Sequence, residues 1–408
     1  MLNKRKIIND PVYGFIDIPS EFIHDIIGHP NVQRLRRIQQ LGLTNFVYPG
    51  ANHTRFQHAI GAMHLMSLAI NVIRSKGHNI TEEEAEASRL AILLHDIGHG
   101  PYSHALEFSI VQGVKHEDIS LFFMKKLNNE FQGKLDMAIK IFQNKYPKKF
   151  LHELVTSQLD MDRLDYLRRD SFYTGVTEGI IGSDRIIKML NVVDDQLVID
   201  SKGIYSIEKF LIARRLMYWQ VYLHKTVLSI ENLLVNALKR AKELAGKNIN
   251  LFSTPALHYF LHQTLGKDDF EKNPEVLQNF ARLDDTDIIC ALKEWQEHDD
   301  IVLSYLSKAF INRKLYKIEL QNQPFGKAYL LEKEKAVLKD LPIDAGDVKY
   351  FVFTNEIATH TYSSNDENIR ILFKNNELVD IAEASDMLNI SVLDKTIKKY
   401  FLCYPKNS

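Results

Sequence analysis

Apolar residues recur at helical spacing through the first half of the chain. Ile60, Met63, Leu65, Met66, Ala69, Ile70 and Ile73 predict a helix from His58 to Ser75. A second helix is expected from Glu82 to His95, opened by a capping box in which Thr81 and Glu84 satisfy each other's amides. It should stop near Gly98, Gly100 and Pro101. Leu151–Arg169 and Ile207–Leu244 are further helix candidates, the second one long. The stretch QLVIDSKGIYSI, Gln196 to Ile207, reads as a small hairpin around Ser201, Lys202 and Gly203. Towards the C-terminus the pattern changes. Lys349–Thr354, Thr359–Tyr362 and Ile369–Phe373 are β-branched and aromatic, which favours strands. The expected fold is therefore mainly α, with Lys314–Ser408 forming a smaller α+β lobe. Gly246 and the polar run around it divide the chain into a helical core, 1–245, and a helical then α+β region, 246–408.

Composition narrows the function. Fifty-one basic and 52 acidic side chains nearly cancel in 408 residues, so bulk charge attracts neither nucleic acid nor membrane. No basic, aromatic-rich tract points to a nucleic-acid partner. The only two cysteines, Cys290 and Cys403, are far apart, which excludes a disulfide framework and fits a reducing cytoplasm. The basic opening MLNKRKIINDPVYGF lacks the apolar stretch of a secretory signal. No run approaches 18 uncharged apolar residues, so no membrane-spanning helix is expected.

The chemistry concentrates in three segments. HDIGHGPYSH, His95 to His104, follows the apolar run Leu90–Leu94. A His-Asp pair emerging from a buried helix needs a compensating charge, and a metal ion supplies one. RFQHAIG, Arg55 to Gly61, adds His58 upstream. In SQLDMDRLDYLRRD, Ser157 to Asp170, helical spacing puts Asp162, Tyr166 and Asp170 on one face, while Asp160 and Asp165 point elsewhere. Two imidazoles with two carboxylates suit Mn, Fe, Ni, Co, Zn or Mg. A divalent ion so held can polarise a phosphoryl group and activate water.

The pattern His … His-Asp … Asp resembles the HD-domain phosphohydrolases. More narrowly, it resembles the branch of bacterial dGTPases and of the animal dNTPase that joins a sterile-alpha-motif to an HD domain. DPVYGFIDI, VQRLRRIQQLG, VYPGANHTRFQHAIG, HDIGHGPYSH, KHE, DMDRLDYLRRD and RRLMYWQVYLHK occur in the order that branch uses, over roughly Asp10 to Lys225. The resemblance implies an HD helical core whose motif segment is 54–170. It implies His58, His95, Asp96 and Asp162 as metal ligands, with His99, Glu107 and His116 as the catalytic group and His104 near the α-phosphate. The animal member has Asp at the position of Glu107. Arg55 and Arg163 would hold phosphate oxygens, Arg163 standing where that relative has Lys. Gln40 and Asp170 would bond the sugar 3′-hydroxyl, and Tyr166 would fill the space of a ribose 2′-oxygen. Arg214, Tyr218 and Tyr222, again at four-residue spacing, would line the triphosphate and base. Core packing is the other reading of this stripe, above all for Tyr218, where the relative has His.

The reaction implied is hydrolysis of a deoxynucleoside triphosphate to deoxynucleoside and inorganic triphosphate. Water would attack the α-phosphorus in line with the 5′-oxygen, and His104 or His116 would protonate that oxygen. A guanine-specific activator site is not expected, because Gly28 stands where the animal relative has a nucleotide-binding Asp. A homo-oligomer, dimer or tetramer, is implied. Two alternatives use the same motif differently. One is another HD enzyme acting on cyclic nucleotides, (p)ppGpp or nucleoside monophosphates. Alarmone hydrolases, however, carry a Glu-Asp pair where this chain has Gly98, His99 and Gly100. The other is a nucleotide- or nucleic-acid-binding regulator with little turnover.

Overall fold

The computed structural model describes residues 6–102, 109, 111, 113–359, 368–386 and 397–406. The chain opens with an antiparallel hairpin, β1 (Ile7–Asp10) and β2 (Gly14–Asp17). Two short helices follow, α1 (Glu21–Gly28) and α2 (Pro30–Gln33). Then comes the axis of the molecule, α3 (Arg55–Ser75), whose first turn is closed by the Gln57 side chain accepting the Thr54 amide at 2.8 Å. By length and composition α3 could cross a bilayer, but it is the central core helix, buried along most of its length. Next, α4 (Glu82–Leu94) starts from the expected capping box: Thr81 donates its amide to Glu84 Oε2 at 2.9 Å, and Glu84 returns its amide to Thr81 Oγ1 at 3.2 Å. Its apolar end, Leu90 to Leu94, is fully packed. Helices α5 (His116–Glu130), α6 (Asp136–Phe142) and α7 (Lys149–Glu153) lead to α8 (Met161–Thr174). α3 packs between α4 and α8, so the three motif segments meet around one helix.

Three expectations need correction, each for a local reason. Leu151–Arg169 is not one helix. The buried Asp160 carboxylate accepts the amides of Ser157 (2.8 Å) and Arg163 (2.7 Å), and this cap breaks the chain before α8 begins. Ile207–Leu244 is also two helices, α9 being Ser183–Met189 and the pair being α10 (Ile204–Met217) and α11 (Lys225–Gly246). Between the pair lies a π turn over Tyr218–Tyr222. His224 then leaves helical geometry, and its ring accepts the Thr226 amide. The small hairpin is β3 (Leu190–Val193) with β4 (Gln196–Asp200), turning at Asp194 and Asp195, both with positive φ, and Ser201–Gly203 leads into α10.

The mainly helical body with a smaller α+β region is as expected. β5 (Lys317–Gln321) and β6 (Phe353–Thr359) flank β9 (Ile397–Tyr404) in an antiparallel sheet. The strand expected from Lys349 starts later, after a 3₁₀ turn over Ala345–Tyr350, and residues 360–362 lie outside the described set. β7 (Arg370–Leu372) pairs with β8 (Leu378–Asp380) but also, in parallel, with β4 (Ile199 opposite Ile371). The late segment is thus stitched into the core sheet.

Gly98 shows how tightly the turn after α4 is held. A Cβ there would lie 2.2 Å from the His116 carbonyl oxygen and 2.3 Å from the Ser120 amide, both backbone atoms. Gly98→Ala must push α5 away, at a cost of about 1–3 kcal/mol or more. We expect a lower melting temperature than wild type, read by calorimetry; an unchanged one would show that α5 is not clamped here.

Candidate active site

His58, one turn into α3, His95 and Asp96, just past α4, and Asp162, in the first turn of α8, converge. Asp162 Oδ1 lies 3.1 Å from His58 Nε2 and 3.5 Å from His95 Nε2. Asp96 Oδ1 is 3.3 Å from His95 Nε2, and Asp96 Oδ2 is 3.9 Å from His58 Nε2. The far nitrogen of each ring is already engaged: His58 Nδ1 meets Asp165 Oδ2 at 2.7 Å, and His95 Nδ1 meets the Ile92 carbonyl at 2.5 Å. Both acceptors require an Nδ1–H, so each Nε2 is left to offer a lone pair. Both Nε2 atoms are buried, and among the described residues they face only the carboxylates of Asp162 and Asp96.

Two lone pairs and two carboxylates facing one point repel one another unless a cation stands between them, which is the test a divalent ion passes here. The field has the matching sign. With no cation between them the carboxylates would draw protons onto those nitrogens instead. Burial depresses the imidazoles, but the adjoining carboxylates outweigh it, pushing His58 up to about 10 and His95 up to about 9, and a bound ion would take the protons' place. Burial would raise Asp162, yet the two histidines hold it far below the usual carboxylate range. His58, His95 and Asp162 therefore form one cluster that could hold a metal, and Asp96, 3.3 Å from His95 Nε2, joins it to a second such cluster with His99 and His116.

Around this centre, Arg55 is ion-paired with Asp96. His99 Nε2 is 3.4 Å from Asp96 Oδ1, and its ring stacks on His116 with centroids 3.9 Å apart. Burial and the nearby Arg55 charge hold His99 well below its usual range, so it is neutral. His104 and Glu107 lie outside the described residues. On α8, Tyr166 and Asp170 follow Asp162 along one face. The Tyr222 hydroxyl donates to Asp170 Oδ2 at 2.8 Å, and the Tyr166 and Tyr222 rings stand edge to face at 6.1 Å. Tyr218 packs against Tyr222 at 5.3 Å and lies 6.0 Å from the Arg214 guanidinium. Arg214 accepts a partner in Gln158, donating to its Oε1 at 3.1 Å, while Arg163 donates to the Ser157 carbonyl at 2.7 Å. Gln40 is joined through its amide to the His53 carbonyl, and its buried Oε1 has no hydrogen-bond partner.

Several supporting residues escaped the sequence reading. Asp165 faces the back of His58, so the two acids Asp162 and Asp165 grip opposite edges of one imidazole. The signal was its pairing with Arg169 four residues on. His53 Nε2 is 2.8 Å from Asp170 Oδ1, and nothing in its spacing marked it. Arg34, fully buried, donates to the carbonyls of Ile97, His99 and Leu283 and so fixes the turn that carries His95 to His99. Asp285 accepts the amides of Gln39 and Tyr102, and burial lifts its carboxyl to about 6.

Comparison with known proteins agrees with this arrangement. The HD domain model matches residues 55–170, and the model of an HD associated region matches 181–254. The uncharacterized protein YwfO of Bacillus subtilis is 30% identical over the whole of this chain and 93% of its own length. The chain belongs to the HD-domain phosphohydrolases. A crystal structure of a phosphohydrolase from Bacteroides thetaiotaomicron is 58% identical to this HD phosphohydrolase, with a TM-score of 0.95 over 98% of this chain and all of that one. The deoxynucleoside triphosphate triphosphohydrolase SAMHD1 homolog of Dictyostelium discoideum is 36% identical over 58% of this chain. The match spans 50% of that relative's length.

An ion held at the His58–Asp162 centre must stabilise the fold by linkage, by about 2.7 kcal/mol at a hundred times its dissociation constant. Saturating Mn²⁺ should raise the melting temperature of the wild-type HD phosphohydrolase and leave that of Asp162→Ala nearly unmoved. Equal shifts in the two proteins would place the cation elsewhere.

Proposed function

We propose that this HD phosphohydrolase is a metal-dependent deoxynucleoside triphosphate triphosphohydrolase, splitting dNTP and water into deoxynucleoside and inorganic triphosphate. The observation that carries the reading is a polar–aromatic wall beside the metal ligands. On one face of α8, Asp162 is followed by Tyr166 and Asp170, and Tyr222 from the π turn closes on both. A carboxylate framed by two tyrosines suits a sugar hydroxyl on one side and excludes an extra one on the other. The similarity of 58% of this chain to a named dNTP triphosphohydrolase supports the same substrate class.

When bound, the metal supplies Lewis-acid polarisation of the phosphoryl group and a lowered pKa for water. The chain's own residues do the rest. Arg55, Arg163 and Arg214 flank the centre and supply positive charge for phosphate oxygens, where negative charge grows as the bond to the 5′-oxygen breaks. Asp170, oriented by His53 and Tyr222, accepts the 3′-hydroxyl, with the free Gln40 Oε1 as a second acceptor. Neutral His99, stacked on His116, orients that ring at the edge of the site. His116, or His104, delivers a proton to the departing 5′-oxygen.

Incubation with each dNTP under Mn²⁺ should release deoxynucleoside and triphosphate, resolved by mass spectrometry. Monophosphate with pyrophosphate, or orthophosphate alone, would refute the reaction. Removing the ring at the sugar should relax the choice of sugar. Tyr166→Ala is expected to narrow the kcat/KM ratio of dNTP over NTP by about ten- to a hundredfold, and an unaltered ratio would exclude Tyr166 as the gate.

A further inference from the structure

The motif DPVYG, at the opening hairpin, has no role in the reaction above, yet a continuous buried chain of ion pairs joins it to the metal centre. Behind His58, Asp165 Oδ2 accepts both His58 Nδ1–H at 2.7 Å and Arg169 Nε–H at 2.9 Å, and Asp165 Oδ1 accepts Arg169 Nη2–H at 3.0 Å. Arg169 Nη1–H then donates to Asp10 Oδ2 at 2.7 Å. The other oxygen of Asp10 accepts the amides of Val12 and Tyr13 at 2.9 and 3.0 Å and so shapes the turn between β1 and β2. His58, Asp165 and Arg169 are wholly buried, and Asp10 is 4% exposed.

A separate observation shows that α3 makes room for this chain. A Cβ on Gly61, one turn after His58, would sit 2.1 Å from both Arg169 Nη2 and Asp165 Oδ1. Only a residue without a side chain lets the pair press against the helix that carries the ligand.

We infer that Asp165 is a positioning residue for metal binding, and that the Asp165–Arg169–Asp10 relay couples the grip on the metal to the order of the β1–β2 hairpin. Asp165 fixes the His58 tautomer and ring plane, Arg169 fixes Asp165, and Asp10 fixes Arg169 while closing the turn. Carboxylates placed behind a ligand histidine typically change metal affinity by ten- to a hundredfold when removed. By linkage, what the hairpin does for the metal, the metal does for the hairpin. The inference rests on the metal reading of the His58–Asp162 centre.

The test is Mn²⁺ titration by calorimetry, well below the melting temperature, on the full chain and on Asp165→Asn, Asp10→Asn, Gly61→Ala and Asp162→Ala. Asp165→Asn and Gly61→Ala should bind Mn²⁺ ten- to a hundredfold more weakly than wild type, and Asp10→Asn several-fold more weakly. Mn²⁺ should also slow amide hydrogen exchange across Ile7–Asp17 in wild type and not in Asp165→Asn. A network that only stabilises the fold would lower melting temperatures without moving these readouts. If Asp165→Asn does not fold, Asp10→Asn, with Asp165 intact, carries the test alone. Wild-type affinity in the variants that fold, with binding lost in Asp162→Ala, would overturn the relay and leave the metal site standing. No Mn²⁺ binding by wild type would overturn both.

Discussion

One buried imidazole sets the terms for the rest of the molecule. His58 is enclosed on α3, with Asp165 behind it and Asp162 and Asp96 before it. Carboxylates this close together, Asp96 and Asp165 buried and Asp162 half-buried, are costly for stability unless positive charge meets each one. Arg169 answers Asp165, Arg55 answers Asp96, and a divalent cation could answer Asp162. The packing of α3 between α4 and α8 brings the three segments within bonding distance.

The residues that could hold a metal and those that support them differ in how they could be read. His95 and Asp96 were legible because they interrupt an apolar run, and Asp162 because helical spacing joins it to Tyr166 and Asp170. The same spacing sent Asp165 away from the face of interest. That direction was right and the inference incomplete: facing away from Tyr166 and Asp170 is what lets it reach the rear of His58. Supporting contacts of this kind span long sequence distances, 107 residues for His58 with Asp165 and 117 for His53 with Asp170, and no local pattern encodes them.

The helices were legible wherever apolar periodicity ran unbroken, as in α3 and α4. They were misjudged where one polar side chain overrides periodicity. Asp160 captures two amides and starts α8 afresh, and His224 does the same for α11 after a π turn. Both interruptions fall at the site. The first lets Asp162 occupy the opening turn of a helix, and the second turns Tyr222 inward onto Asp170. The breaks in the pattern are therefore where the chain departs from regular packing in favour of chemistry.

The order of strands in the late sheet carries a consequence for how the protein comes to exist. β9, the last strand described, lies between β5 and β6. Among the described residues, neither neighbour has another partner in that sheet until residues up to Tyr404 have left the ribosome. The helices around α3 draw on segments made much earlier and can condense while synthesis proceeds. Until β9 emerges, the nascent chain holds a nearly assembled centre beside two strands still waiting for it, which are open to a chaperone or to a neighbouring chain.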